Sequence, residues 1–322
     1  MEYVQLLGGL LILIASGEAL VKGAVGIALK LHVSTLVIGM TIVSFGTSAP
    51  ELLVAIKAAL LNKPDITVGA IIGSNVSNIT FILGLTALVF PISVNRDSLA
   101  IDWPMMMLTY LLFYLAIFNG SFSDIEDGDL SGVEGLMLFG SLILFGTWLI
   151  MRSRKKTKKN LRDQGYVHLK TSPVVFIKYA FLIILGCIGL VYGAELFVLG
   201  ADQIARNFNI SERVIGLTLV AFGTSLPELI TSLIAAFRKQ ADIGIGNLIG
   251  SNIFNILSIL GITAMIKPIN VDFMFISMDF LWMLVGSVII FPMMFFGRRI
   301  SRIEGFLLMI FYLSYLYFVF KN

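Results

Sequence analysis

The chain reads as long apolar runs separated by short polar punctuation. Runs over 3–29, 34–60, 66–90, 98–118 and 131–151, then 174–203, 211–237, 242–266, 272–295 and 301–320, each reach the roughly 20 residues that a helix needs to cross a hydrocarbon core. Inside a bilayer every backbone polar group has to be bonded within its own segment, so runs of this kind predict helices. The pattern predicts an all-α polytopic membrane protein of ten transmembrane helices, five on each side of a hydrophilic stretch at 152–172. Residues 1–151 and 173–322 are then the two helical halves, and 152–172 is the linker between them.

Composition supports this reading. Hydrophobic residues make up 57% of the 322, charged residues 13%, and the mean hydropathy is +0.94, far from a soluble domain. The first run has Glu2 before it rather than a basic segment, and Glu18 interrupts it, so a helix is expected there and not a cleaved signal peptide. The net charge of +3 is small, and most of the basic excess lies in 152–172, which argues against nucleic acid as a partner. That stretch carries Arg152, Arg154, Lys155, Lys156, Lys158, Lys159 and Arg162, which places it on the cytoplasmic side of the cell membrane with both termini outside. Arg298 and Arg299 then fall inside and the acidic stretch 123–129 outside, in agreement. Cys187 is alone, so neither a disulfide nor a thiolate metal cluster is expected. Nothing in the chain implies a resident cofactor or an oligomer.

An internal repeat sharpens the picture. A shift of 177 positions aligns the halves without a gap from Glu18/Glu195 to Pro91/Pro268, and from Gly46 to Ile79 the copies agree at 17 of 34 positions. With five helices per copy, an odd number, the second copy enters the membrane from the opposite side. Inverted repeats of this kind characterise secondary transporters, whose substrate sites lie near the midplane on interrupted helices.

The best-matched segments carry the chemistry. Glu51 and Glu228 fall near the middle of the second and seventh runs, where translocon scales assign about 2.5 to 3.5 kcal/mol to a carboxylate-type residue, so they are expected to face the bundle interior. Each follows a proline, Pro50 or Pro227, that removes a helical hydrogen bond and exposes nearby carbonyls, including those of Thr47 and Thr224. Carbonyls, the hydroxyls of Ser48 and Ser225 and a carboxylate within one turn form an all-oxygen site suited to hard cations. On the next helix of each copy, Ser74 and Asn78, like Ser251 and Asn255, share a face four residues apart. The GxxxG patterns at 69–73 and 246–250 predict close helix approach. Asn75 and Asn252 lie off that face and serve equally well as ligands or as interhelical hydrogen bonds. Glu18 and Glu195 repeat near span ends, where snorkelling or a gate contact competes with ligation. Asp65 and Asp242 head helices, where acids cap, and His32 and His168 are expected in solvated loops.

"GTSAPE" with "GSNVSN", repeated as "GTSLPE" with "GSNIFN", resembles the alpha repeats of the cation/calcium exchanger superfamily, with its Na⁺/Ca²⁺ exchanger branch the nearest. The resemblance implies ten helices in two inverted sets of five, a central cluster of ion sites, and alternating access by sliding of the first and sixth helices. It implies Glu51, Glu228 and the carbonyls of Thr47 and Thr224 as calcium ligands, with Ser48, Ser74, Asn78, Ser225, Ser251 and Asn255 around sodium. Asn255 stands where some members, among them potassium-dependent ones, carry Asp, which argues against potassium co-transport. Ser44 stands opposite Ala221, where some relatives carry Ala in both copies.

A transporter rather than an enzyme is therefore expected, exchanging Ca²⁺ for Na⁺. A proton/calcium antiporter would use the same glutamates, with Glu51 or Glu228 protonated when calcium leaves. A cation channel would also need carboxylates, but not an inverted repeat. There is no HExxH, GxSxG or nucleophile with a membrane histidine. The orientation has a direct check: a reporter fused at Asn322 is expected to read as external, and a cytoplasmic signal there would refute the five-plus-five arrangement.

Overall fold

The computed structural model describes residues 2–118, 128–163, 173–208, 221–272 and 275–321. The helices are α1 (Glu2–Leu31), α2 (Thr35–Thr47), α3 (Ala49–Leu60), α4 (Pro64–Val89), α5 (Ser98–Ala116), α6 (Gly132–Asp163), α7 (Pro173–Asn207), α8 (Leu226–Phe237), α9 (Ala241–Ile266), α10 (Ser277–Phe295) and α11 (Arg302–Lys321). Among the described residues, eight helices are long and apolar enough to cross a membrane, and α2 with α3, bent by 47° at their break, count as a ninth if the pair is one span. Of the seventh expected span, α8 and the turn Ala221–Thr224 are described, and residues 209–220 lie outside the described residues. Large apolar side chains such as Leu7, Leu11, Leu144 and Phe306 stand exposed on these helices, as lipid-facing residues must.

One element differs from expectation. The fifth helix does not stop before the basic stretch but continues as α6 through Arg152 and Lys159 to Asp163. Lys and Arg are good helix formers, no Gly or Pro occurs between Gly146 and Gly165, and cations near a helix C-terminus offset its dipole. The remainder of the expected linker, 164–172, lies outside the described residues, as do His168 and most of the acidic stretch 123–129.

Packing divides the chain into two compact units, one of Met1–Thr47 with Gly146–Asn247 and the other of Ser48–Phe145 with Leu248–Asn322. Each unit draws on both sequence halves. Within the first, α1 and α7 lie antiparallel over their length, held close by glycines on both. A Cβ on Gly9 would stand 2.5 Å from the Phe197 nitrogen, one on Gly186 2.8 Å from the Leu20 nitrogen, and one on Gly200 2.5 Å from the Leu6 nitrogen. The start of α9 meets α2 in the same way, a Cβ on Gly246 lying 2.5 Å from the Leu36 carbonyl. The GxxxG expectation therefore holds at Gly246, whereas Gly73 meets nothing nearer than the Tyr315 hydroxyl at 3.9 Å.

The second unit repeats its own contacts. Strand β1 (Ile92–Ser93) pairs with β4 (Arg299–Ile300), and β2 (Gly128–Leu130) pairs with β3 (Ile269–Val271). Ile92 and Ile269 are 177 apart, so the two pairings are one contact made twice with the copies exchanged. Glycines do the same: a Cβ on Gly305 would lie 2.6 Å from the Gly84 carbonyl, and one on Gly135 2.6 Å from the Gly261 carbonyl. "LSGVEG" at 130–135 and "ISRIEG" at 300–305 open α6 and α11 with matching capping boxes. The Ser131 N–H donates to Glu134 Oε2 at 2.9 Å and the Ser301 N–H to Glu304 Oε2 at 2.7 Å. Single π-helical turns also recur, at Ser77–Ile82 and Asn255–Leu260 and again at Ser98–Asp102 and Phe275–Asp279.

These glycine contacts lead to a stability prediction. Gly135→Ala or Gly305→Ala forces a carbonyl aside and should cost about 1–3 kcal/mol, as overpacking does. Gly140→Ala, inside α6 where a Cβ meets nothing within 4 Å, should not lower the thermal midpoint in detergent and, by helix propensity, should raise it slightly.

Candidate ion-binding site

The second crossing breaks at Ser48, between α2 and α3. Ser48 adopts φ −87° and ψ 8°, and its carbonyl accepts the Leu52 N–H at 3.2 Å. Pro50 is the second residue of α3, where its missing N–H is no loss, because first-turn amides have no helical partner. Glu51 follows in that first turn. Ser225 reproduces this arrangement with φ −87° and ψ −1°, its carbonyl accepting the Leu229 N–H at 3.1 Å, and Pro227 and Glu228 open α8. The helix is thus interrupted at the proline motif, as expected.

Such a break creates a helix N-terminus within the membrane span, with a partial positive charge and unpaired N–H groups. A carboxylate in the first turn is stabilised by both. Glu51 is 3% exposed and Glu228 1% exposed, so both carboxylates are buried as expected. Glu51 belongs to the second unit and Glu228 to the first.

In the first unit, Thr47 and Ser225 are buried and Thr224 is half-buried. The Thr47 hydroxyl lies 3.1 Å from Asn247 Oδ1 and 3.3 Å from the Ser44 carbonyl. Ser44 donates to the Met40 carbonyl at 2.7 Å, a back-bond within its own helix. Glu18 is outside any ligand cluster, because the Arg238 guanidinium at the end of α8 takes its carboxylate, with Nε 2.9 Å from Oε2. Glu195 is exposed.

In the second unit the predicted oxygens converge. Ser48 Oγ donates to Ser251 Oγ at 3.1 Å, and Asn255 Nδ2 donates to Ser74 Oγ at 3.3 Å. Asn78 Nδ2 donates to Asn252 Oδ1 at 3.0 Å, and Asn255 Nδ2 to Asn75 Oδ1 at 2.9 Å. Asn75 and Asn252, which the helical face left undecided, are therefore central. Asn75 Nδ2 donates to the Asn252 carbonyl at 3.4 Å, and Asn252 Nδ2 to the Asn75 carbonyl at 3.1 Å. Tyr110 of α5 joins them, its hydroxyl accepting from Asn252 Nδ2 at 2.8 Å and from Ser287 at 3.3 Å. The repeated "GSN" contained the signal for the two asparagines. Tyr110 had none, since its counterpart 177 residues on is Ser287.

Repeated broken helices with buried carboxylates, on a bundle with two-fold internal contacts, define an integral membrane transport protein. The chain belongs to the sodium/calcium exchanger protein family, whose profile matches residues 1–151 and 178–321. It is 34% identical over 349 aligned positions to the sodium/calcium exchanger MaX1 of Methanosarcina acetivorans, covering 99% of this chain and 98% of that protein. It is 36% identical over 290 positions to the inner membrane protein YrbG of Escherichia coli, covering 88% and 86%. A solved structure of the sodium-calcium exchanger NCX_Mj superposes with a TM-score of 0.82 at 30% identity, covering 99% of this chain and 98% of that one.

Proposed function

We propose that the protein is a secondary antiporter that exchanges Ca²⁺ for Na⁺ by alternating access. Its ion site is built from Glu51, Glu228, Thr47, Thr224, Ser48, Ser225, Ser74, Ser251, Asn78 and Asn255. The observation that carries this reading is the duplicated helix break, which buries a carboxylate in the first turn of α3 and of α8. A buried carboxylate in so apolar a setting is retained when it has a cation to bind. Two of them match the charge of one Ca²⁺, and neutral hydroxyl, carbonyl and amide oxygens complete a shell of six to eight. Only hard cations accept such a shell, and sites of neutral oxygen suit Na⁺. The surplus of uncharged oxygens over what calcium needs supports monovalent sites that overlap the calcium site. The basic end of α6 lies on the cytoplasmic side in this reading, and both termini lie outside.

The test is radiolabelled calcium flux in proteoliposomes, driven by a sodium gradient or by a pH gradient alone. Sodium-driven uptake is expected, and uptake driven by a pH gradient without sodium would make the coupling ion a proton instead. Glu51→Gln and Glu228→Gln keep shape and remove charge, and each is expected to abolish exchange while the protein remains monodisperse. Wild-type flux in both variants would refute the site. Ser74→Ala and Ser251→Ala are expected to raise the sodium needed for half-maximal exchange more than the calcium needed, since the carboxylate pair is left intact.

A further inference from the structure

The polar cluster of the second unit contains an orientation problem that its own geometry solves. An asparagine side chain can turn either its carbonyl or its amino end toward a site, and only the carbonyl end binds a cation. A backbone carbonyl accepts hydrogen bonds and cannot donate, so the amino ends of Asn75 and Asn252 must face each other's main chains, at 3.4 Å and 3.1 Å. That leaves Oδ1 of each as an acceptor, and each accepts from a ligand candidate: Asn75 from Asn255 at 2.9 Å, Asn252 from Asn78 at 3.0 Å. Asn78 and Asn255 must therefore spend their amino groups on this contact. Their Oδ1 atoms are buried and have no hydrogen-bond partner among the described residues.

We propose that Asn75 and Asn252 are positioning residues that hold the side-chain carbonyls of Asn255 and Asn78 outward for the transported cation, with Tyr110 fixing Asn252. The proposal rests on the ion-site reading above and adds to it the residues that set the polarity of two ligands. The lock is built twice but not equally. Asn252 donates its second proton to the Tyr110 hydroxyl at 2.8 Å, whereas the corresponding proton of Asn75 meets only the Met283 sulfur at 3.6 Å, a weak acceptor. Asn252 is thus the firmer of the two, and Asn78 the more firmly oriented ligand.

A mutant cycle separates this role from ligation and from mere packing. Sodium half-saturation of calcium exchange, and sodium binding by calorimetry on purified protein, are measured for Asn78→Ala, Asn252→Ala and the double variant. If Asn252 acts through Asn78, each single change weakens sodium binding by about tenfold, the scale of one buried hydrogen bond to a polar partner, and the double variant is no worse than Asn78→Ala alone. Additive losses would overturn the proposal and leave the ion site standing. No shift in Asn78→Ala itself would overturn the ion-site reading and the proposal with it. Tyr110→Phe removes a single hydroxyl and carries the same cycle if Asn252→Ala is not monodisperse. It is expected to weaken sodium binding by about threefold in the parent protein and to have no effect in the Asn78→Ala background. No effect in the parent, or an equal effect in both, would overturn the proposal.

Discussion

A polar group in a hydrocarbon slab has no water to fall back on, and an unbonded one costs several kcal/mol. The local architecture of this protein follows from that constraint. Breaking a helix in mid-span strands its first N–H groups, yet the chain does so at Ser48 and again at Ser225. In each copy the serine carbonyl is used by the residue four later, the proline brings no N–H to be satisfied, and the glutamate supplies negative charge at the positive end. The motif is thus internally consistent as chemistry. Without the break, the carboxylate would be a buried charge on a continuous helix. Without the carboxylate, nothing would offset the partial positive charge at the new helix end.

The same constraint explains why asparagine is so frequent at the centre of the second unit. An amide offers two donors and an acceptor, which lets four side chains satisfy one another while two oxygens remain for a ligand. Carboxylates at Asn75 and Asn252 could not donate to the opposing main chain, and a hydroxyl, with a single proton, could not donate both to that carbonyl and to a second acceptor as Asn252 does. The reciprocal bonds also pair equivalent residues of the two copies, which makes the repeat's symmetry a source of polar satisfaction rather than a relic of duplication.

Most of the fold was legible because it follows from one-dimensional rules. Helix spans come from apolar run length, and the repeat from identity at a constant offset, which the β1 and β3 strands and the paired π turns bear out up to Asp102 and Asp279. The capping boxes at Ser131 and Ser301 escaped because their offset is 170 rather than 177, after copies of unequal loop length. The continuation of α6 into the basic stretch escaped because a polarity criterion reports where the bilayer ends, not where the helix does. Burial of Glu51 and Glu228 was legible from cost alone. The roles of Asn75, Asn252 and Tyr110 were not, because a helical face says which residues point together but not which atoms of an amide are already used.

Symmetry is kept in the second unit and in the α1/α7 pair of the first, and is broken where the broken helices meet that pair. Under a strict exchange of copies, if Gly46 touches Cys187 of α7, then Gly223 must touch Leu10 of α1. Instead a Cβ on Gly46 would lie 2.2 Å from the Cys187 sulfur and one on Gly223 2.4 Å from Val198, so both broken helices meet α7. α1 for its part meets α8, a Cβ on Gly17 lying 2.7 Å from Ile234. For inverted repeats, exchanging the copies is equivalent to exchanging the two sides of the membrane. An arrangement that kept the two-fold throughout would therefore treat both sides alike, and access from one side at a time requires that some part depart from it. The departure is found where the two broken helices pack on α1 and α7, whereas the α1/α7 pair itself keeps the exchange, its Gly9 to Phe197 and Gly186 to Leu20 contacts being one contact made twice. The amide network and the glycine pairs Gly84/Gly305 and Gly135/Gly261, tied by reciprocal bonds and close backbone contacts, retain it.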